Sequence, residues 1–228
     1  MDSVGCIIVA AGRSQRMNGK DKIFASLAGK PLIAHTINVF QKNNAVQQIV
    51  LALKEDNLSS GQKLLDDYRW SKLIKIYPGG EHRQDSVARG FSYLPDCQWI
   101  IIHDGSRPCL TGYIIDRGLC CVQETGAAIA AVPITDTIKV VNGDFIINDT
   151  PDRTSLWAAQ TPQIFRRDII IAAHDNAIKN NLKTTDDAAL VEKLGYKVKI
   201  YRGSYDNIKV TTSHDLSLAE IILTNKRR

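Results

Sequence analysis

Val4-Gly5-Cys6-Ile7-Ile8-Val9-Ala10-Ala11-Gly12 is an apolar run of strand length that breaks into small residues and then into the polar segment Arg13-Ser14-Gln15-Arg16-Met17. A short apolar run bounded by a Gly-containing loop reads as a buried strand. The segments that follow settle the class. Pro31 heads a helical stripe of Leu32, Ile33, Ile37 and Phe40, at the first helical position, where its fixed φ and missing N–H cost least. Gln48–Leu53 reads as a second strand, Leu58–Trp70 as a polar helix, and Leu73–Tyr77 as a third strand ending at Pro78-Gly79-Gly80. Gln84–Tyr93 is a helix, Trp99–His103 a strand ending in Asp104, Tyr113–Glu124 a helix and Ala127–Val132 a strand. Apolar strands alternating with helices imply an α/β fold, a Rossmann-like, mostly parallel sheet with helices on both faces.

The pattern changes after Pro133. Thr137–Val141 and Phe145–Asn148 flank Asn142-Gly143-Asp144, which reads as a β-hairpin turning on Asn-Gly. Inside an α/β chain such a hairpin is an insertion, an arm over residues 134–153. The α/β pattern then resumes with a helix near Arg167–Asn180 and another over Asp186–Leu194, capped by Thr185 and stopped by Gly195. Lys197–Tyr201 is a strand, and Ser213 caps a last helix, Leu216–Leu223. With no repeat, linker or low-complexity tract, residues 1–228 read as one domain carrying an arm.

Composition narrows the function. Lys and Arg number 29 against 24 Asp and Glu, but the charges are interspersed, and only Lys226-Arg227-Arg228 forms a basic run. A nucleic-acid partner would call for a basic stripe or an aromatic platform, so neither is indicated. No apolar run approaches the ~20 residues of a membrane span. No targeting segment is evident at Met1-Asp2-Ser3-Val4. The five cysteines, Cys6, Cys97, Cys109, Cys120 and Cys121, lack metal-ligand spacing and are odd in number. Reduced thiols in a cytoplasmic protein are the expectation.

Three segments carry candidate chemistry. In the first loop, Ala10-Ala11-Gly12 lets backbone N–H groups approach phosphates without Cβ clashes, while Arg16 and Lys22 can neutralise a triphosphate. The loop is neither a Walker A motif nor a Gly-x-Gly-x-x-Gly turn, and on composition alone it is also compatible with a solvated basic loop. The second segment is His103-Asp104-Gly105-Ser106-Arg107-Pro108. There Asp104 stands at a strand's carboxyl end, where open α/β sheets bind ligands; it can accept ribose hydroxyls, contact Mg²⁺ or simply cap a helix. His103 reads as a core histidine. In the third, Gly79-Gly80 can lie flat against a base that Ser86 hydrogen-bonds, or form a plain turn.

Further clusters lie beyond the hairpin's start. Together these segments resemble the 2-C-methyl-D-erythritol 4-phosphate cytidylyltransferases of the non-mevalonate isoprenoid pathway, in order, from about residue 5 to 223. The matching residues are Ala10-Ala11-Gly12…Arg16-Met17…Lys22, Gly79-Gly80…Arg83…Asp85-Ser86-Val87 and His103-Asp104…Arg107-Pro108. They continue as Pro133…Asp136-Thr137…Lys139, Arg153…Leu156-Trp157…Gln160-Thr161-Pro162-Gln163, Thr185-Asp186 and Asp206-Asn207-Ile208-Lys209-Val210-Thr211. Two positions depart from the family's pattern: Ser14 stands where a second glycine is usual, and Asp21 where proline precedes the catalytic lysine. Lys22 is the aligned lysine and Lys20 its nearest substitute.

The resemblance implies a nucleotidyltransferase fold of glycosyltransferase-A-like type that moves CMP from CTP to methylerythritol phosphate. Arg16 and Lys22 would then stabilise the triphosphate, and Arg153 and Lys209 would hold the acceptor. Arg107, Thr137, Thr185 and Thr211 would line the acceptor site, and Ala10, Ala11, Gly12, Gly80, Ser86, Asp104 and Gly105 would hold the nucleotide. It also implies a homodimer joined through the arms and Mg²⁺ carried on the triphosphate, with no metal ligated by the protein alone. The chemistry agrees. A phosphate oxygen is already ionised near neutral pH, so the reaction needs cations and alignment rather than a general base. The other readings are a ribitol-5-phosphate cytidylyltransferase and a CTP-binding module without chemistry. The Asp136–Lys139 run disfavours the first, and retention of cations for both substrates disfavours the second.

Overall fold

The computed structural model describes residues 3–12 and 22–225. The chain begins with β1 (Val4–Val9), a small hairpin of β2 (Ser26–Leu27) and β3 (Lys30–Pro31), α1 (Leu32–Lys42) and β4 (Gln48–Leu53). It continues through α2 (Leu58–Tyr68), β5 (Leu73–Pro78), α3 (Arg83–Phe91), β6 (Trp99–Asp104), α4 (Gly112–Thr125) and β7 (Ala127–Pro133). A second small hairpin follows, β8 (Val140–Val141) and β9 (Ile147–Asp149), and then β10 (Trp157–Arg166), α5 (Arg167–Lys179), α6 (Asp187–Lys193), β11 (Lys199–Arg202) and α7 (Ser213–Asn225).

Seven strands form one sheet in the order β11-β7-β10-β6-β1-β4-β5. All neighbours are parallel except β10, which is antiparallel to both β6 and β7. Period-two alternation sorts the side chains: Cys6, Ile8, Ile49, Leu51 and Ile101 face one core, while Ile7, Val50, Ile100 and Ile102 face the other. The first core is covered by α1, α2, α4 and α7, the second by α3, α5 and α6. Leu32, Ile33, Ile37 and Phe40 are wholly buried along α1, each contributing roughly 1.5–3 kcal/mol of apolar burial. No helix among the described residues is long and apolar enough to cross a membrane.

Several local expectations need correction. β10 is a central strand that the sequence conceals, because it contains Pro162 and reads as polar through Gln160-Thr161-Pro162-Gln163. The ladder accommodates the proline by shifting register between Ala159 and Gln163, the kind of irregularity at which a strand tolerates a missing N–H. The β2–β3 hairpin turns at Ala28 and Gly29, both with positive φ, and no Asn-Gly or Asp-Gly marks it. Pro31 is the N-cap of α1 rather than its first residue.

In the arm, the Asn142 N–H donates to the Ile146 carbonyl, so the loop is Gly143-Asp144-Phe145 and not a two-residue Asn-Gly turn. The left-handed residue is Phe145, at φ 61°, while Asn142 spends its side chain accepting from the N–H groups of Asp144 and Ile146.

Two helix caps lie one residue away from the expected positions. Asp186, rather than Thr185, caps α6 by accepting from the Ala189 N–H at 3.1 Å. Thr212, rather than Ser213, caps α7: its hydroxyl accepts from Asp215 N–H, while the Asp215 carboxylate accepts from Thr212 N–H at 2.8 Å and from the Thr211 N–H and hydroxyl. Partial burial works to raise the Asp215 carboxyl, but these hydrogen bonds outweigh it and bring the group down to about 2. Asp215→Ala therefore lowers stability by about 1 kcal/mol at neutral pH. Because the native carboxyl is depressed, that contribution is full above about pH 4 and fades as pH falls toward 2. Melting both proteins across that range checks it; a gap in Tm that stays constant down to pH 2 rejects the ionised cap.

Candidate functional site

The strand order reverses at β1, with β4 and β5 laid to one side and β6 to the other. Ligands bind at such a switch point, beyond the carboxyl ends of the strands. A cavity of about 420 Å³ opens there, lined by Ala10, Ala11 and Gly12 after β1, Lys54 after β4, Gly79 and Gly80 after β5, and Asp104 at the end of β6. Lys22, Ser86 and Lys209 also face it. The glycines are required by contact: a Cβ on Gly79 would overlap Ala11, and one on Gly80 would overlap Asp85.

A second cavity of about 220 Å³ adjoins it, lined by Arg107, Gln160, Thr161, Gln163, Thr185 and Asp186. Arg83, Asp104 and Lys209 border both cavities.

Asp104 is the hub of this partition. Its Oδ1 accepts from Arg83 Nε at 3.2 Å, and its Oδ2 faces Lys209 Nζ at 3.0 Å and Arg107 Nε at 3.5 Å. Burial alone would raise the carboxyl, but Arg83, Lys209 and Arg107 outweigh it and hold the group well below the usual carboxylate range. Its backbone N–H donates to the Thr161 hydroxyl, which donates in turn to His103 Nδ1, leaving the His103 Nε2–H for the Arg107 carbonyl. Burial lowers His103 to about 3, so it stays neutral and structural, as its sequence context indicates. Lys22 Nζ donates to the Val210 carbonyl at 2.9 Å, which ties the end of the first loop to the segment carrying Lys209.

The proposed site residues divide three ways. Ala10, Ala11, Gly12, Lys22, Gly80, Ser86, Asp104 and Lys209 meet at the first cavity, and Arg107 and Thr185 at the second. Within that group Ser86 is already engaged: its hydroxyl accepts from Gly80 N–H at 3.0 Å and donates to the His82 carbonyl, so it shapes the glycine turn. Gly105 lines neither cavity. Its N–H donates to the Val9 carbonyl, and a side chain there would press on Ala10 and Ile33. Thr211 donates its hydroxyl to Asp215. Thr137 and Arg153 are exposed on the arm and line neither cavity of their own chain; Arg153 donates to the Thr135 carbonyl. Arg16 lies outside the described residues, as do Ser14, Lys20 and Asp21.

Sequence reasoning assigned no site role to Arg83, Gln160, Thr161, Asp187 or Asn207. Arg83 bridges Asp104 and Asp187. Asn207 is fully buried, its side-chain Nδ2 donating to Gln160 and the Thr161 carbonyl while its backbone carbonyl accepts from Arg107. Arg83 stood within the Gly79–Val87 motif, which was the available signal. Pairing with a carboxylate 104 residues away leaves no trace in spacing.

Residues 4–225 match the family profile described as 2-C-methyl-D-erythritol 4-phosphate cytidylyltransferase. A protein of that name from Dehalococcoides mccartyi is 48% identical over 226 residues, covering 99% of this chain and 98% of its own. Its namesake from Caldanaerobacter subterraneus is 43% identical over 224 residues, with coverage of 97% and 99%. Among solved structures, 4-diphosphocytidyl-2C-methyl-D-erythritol synthase from Anaerococcus prevotii superposes with a TM-score of 0.87 at 26% identity, covering 98% of this chain and 99% of that one. The Francisella tularensis cytidylyltransferase gives 0.81 at 29% identity, with coverage of 96% and 99%.

Proposed function

We propose, for a chain that belongs to the 2-C-methyl-D-erythritol 4-phosphate cytidylyltransferase family, that the first cavity holds CTP and the adjoining one the acceptor. The enzyme transfers CMP from CTP to 2-C-methyl-D-erythritol 4-phosphate, giving 4-diphosphocytidyl-2-C-methyl-D-erythritol and pyrophosphate. The observation that supports the division is the shared wall: two adjoining cavities at one end of the sheet, with Arg83, Asp104 and Lys209 bordering both.

An acceptor phosphate oxygen attacks the α-phosphorus of CTP, and the bond to the α,β-bridging oxygen breaks to release pyrophosphate. No proton has to be removed from the nucleophile, so the chain's task is to bring two polyanions together and hold them in line. Lys22 faces the triphosphate side, and the family motif assigns Arg16 to the same charge. Lys209 stands at the wall, and Arg107 and Thr185 face the acceptor. Thr211, two residues after Lys209, is held by its bond to Asp215. Gly79 and Gly80 lie against the base, with Ser86 holding their turn, and Asp104 takes a ribose hydroxyl.

When bound, Mg²⁺ would be held mainly by the nucleotide and would supply charge neutralisation of the triphosphate. This fits the donors present: no group of three or more His, Cys, Asp or Glu among the described residues could hold a metal, and Asp104 already faces three cations.

Residues 1–228 act as one nucleotidyltransferase unit, with the arm at 134–153 joining two copies. The arm's exposed Val140, Val141, Phe145, Ile146 and Ile147 support that pairing, since a two-stranded hairpin alone is marginal in water. Cys6, Cys97, Cys120 and Cys121 stand as thiols, which supports a cytoplasmic setting.

With Mg²⁺ and methylerythritol phosphate, pyrophosphate release from CTP exceeds that from ATP or GTP by roughly 10²-fold or more, because a base edge left unpaired in a fitted pocket is costly. A coupled pyrophosphate assay measures this. Turnover with ribitol 5-phosphate equal to that with methylerythritol phosphate would reassign the second cavity.

A further inference from the structure

Asp187, at the start of α6, is only 1% exposed and lines neither substrate cavity. Its Oδ2 accepts from Arg83 Nη1, and its Oδ1 lies 3.1 Å from His174 Nε2. Burial would raise this carboxyl, but Arg83 and His174 lower it, so it stays ionised and His174 donates through Nε2. The other end of the Arg83 guanidinium donates Nε–H to Asp104 Oδ1. A guanidinium is a planar, rigid fork, and two carboxylates that take different nitrogens fix its plane. Each carboxylate oxygen offers two acceptor directions. Among the described residues, Oδ1 of Asp104 serves only Arg83, whereas Oδ2 faces both Lys209 and Arg107. The oxygen with a direction to spare is therefore the one Arg83 pins.

We infer that Asp187 is a positioning residue for sugar recognition: by locking Arg83 it orients Asp104 Oδ1 toward a ribose hydroxyl of the bound nucleotide. This rests on reading Asp104 as the ribose partner. The sign of the effect separates geometry from charge. Neutralising Asp187 makes the site more positive, which by itself draws a triphosphate in, so weaker CTP binding reports lost alignment.

The test measures binding of CTP, 2′-deoxy-CTP and 3′-deoxy-CTP to the intact wild-type protein and to Asp187→Asn, Arg83→Gln, their double variant and Asp104→Asn. The wild type prefers CTP to one of the deoxy nucleotides. In Asp187→Asn that preference falls about 5- to 10-fold, the worth of one hydrogen bond, through weaker CTP binding and little change for the deoxy nucleotide. Asp187→Asn and Arg83→Gln act as a unit, so the double variant is no worse than either single one, and removing both partners together avoids a lone buried charge if a single variant fails to fold. A preference intact in Asp187→Asn, or in the double variant, overturns the inference while leaving Asp104 in place if Asp104→Asn loses the preference. A preference intact in Asp104→Asn overturns both.

Discussion

In Lys22→Ala, kcat falls roughly 10²- to 10³-fold, the usual loss when one preorganised group is taken from a developing charge. Lys22 faces the nucleotide cavity and is tethered to the Val210 carbonyl, next to Lys209. Its ammonium is thus placed by the fold before substrate arrives, and alanine removes both the charge and the tether. Arg16→Ala falls by a similar factor on the strength of the family motif. Lys20→Ala is the internal control and loses little. Steady-state kinetics at saturating CTP separate these outcomes. A severe loss at Lys20 beside a near-normal Lys22→Ala enzyme would transfer the role.

A comparable loss is expected at Arg153, together with a reversal in mixed dimers. Arg153 is exposed and touches neither cavity of its own chain. If the arm carries it and Thr137 into a neighbour's acceptor site, each pocket combines Lys22, Arg16 and Lys209 of one copy with Arg153 of the other. Lys22→Ala and Arg153→Ala homodimers are then both nearly inactive. In a dimer with one of each, both lesions fall in one pocket and the other is wild type, so about half of wild-type activity per mixed dimer returns. Subunit exchange, confirmed by differently tagged chains, makes the measurement. Dimers that have exchanged and remain inactive show that Arg153 serves its own chain, or none.

The sheet was legible wherever burial on both faces wrote itself as an apolar run. Val4–Val9, Gln48–Leu53 and Trp99–Asp104 emerge as strands close to their expected bounds. β10 escaped because its middle is Gln160-Thr161-Pro162-Gln163, polar residues whose partners are His103, Asn207, Ser204 and Asp186. Those partners come from other parts of the chain, so the segment's burial had no local signature. Caps were displaced by one residue for a similar reason: Thr185, Asp186, Thr212 and Ser213 are all competent cap residues, and the backbone path chooses among them.

The same distinction holds at the site. The small residues Ala10, Ala11, Gly12, Gly79 and Gly80 were readable as a run of small side chains after a strand, and at Gly79 and Gly80 close packing against Ala11 and Asp85 leaves no room for a Cβ. The roles of Arg83 and Asp187 were not, since each acquires its function only from a partner far away in sequence.

The order in which the chain completes itself has a consequence. The last strand of the sheet ends at Arg202, yet Lys209, the Val210 carbonyl that tethers Lys22, and the Asn207 carbonyl that anchors Arg107 all come later. A chain emerging from synthesis can own every strand of its sheet and still be chemically mute. What it lacks is one short later stretch, docked across the carboxyl ends of the strands like a keystone, and until that stretch seats itself Asp104 has lost one cation and the anchor of a second, and Lys22 has lost its tether.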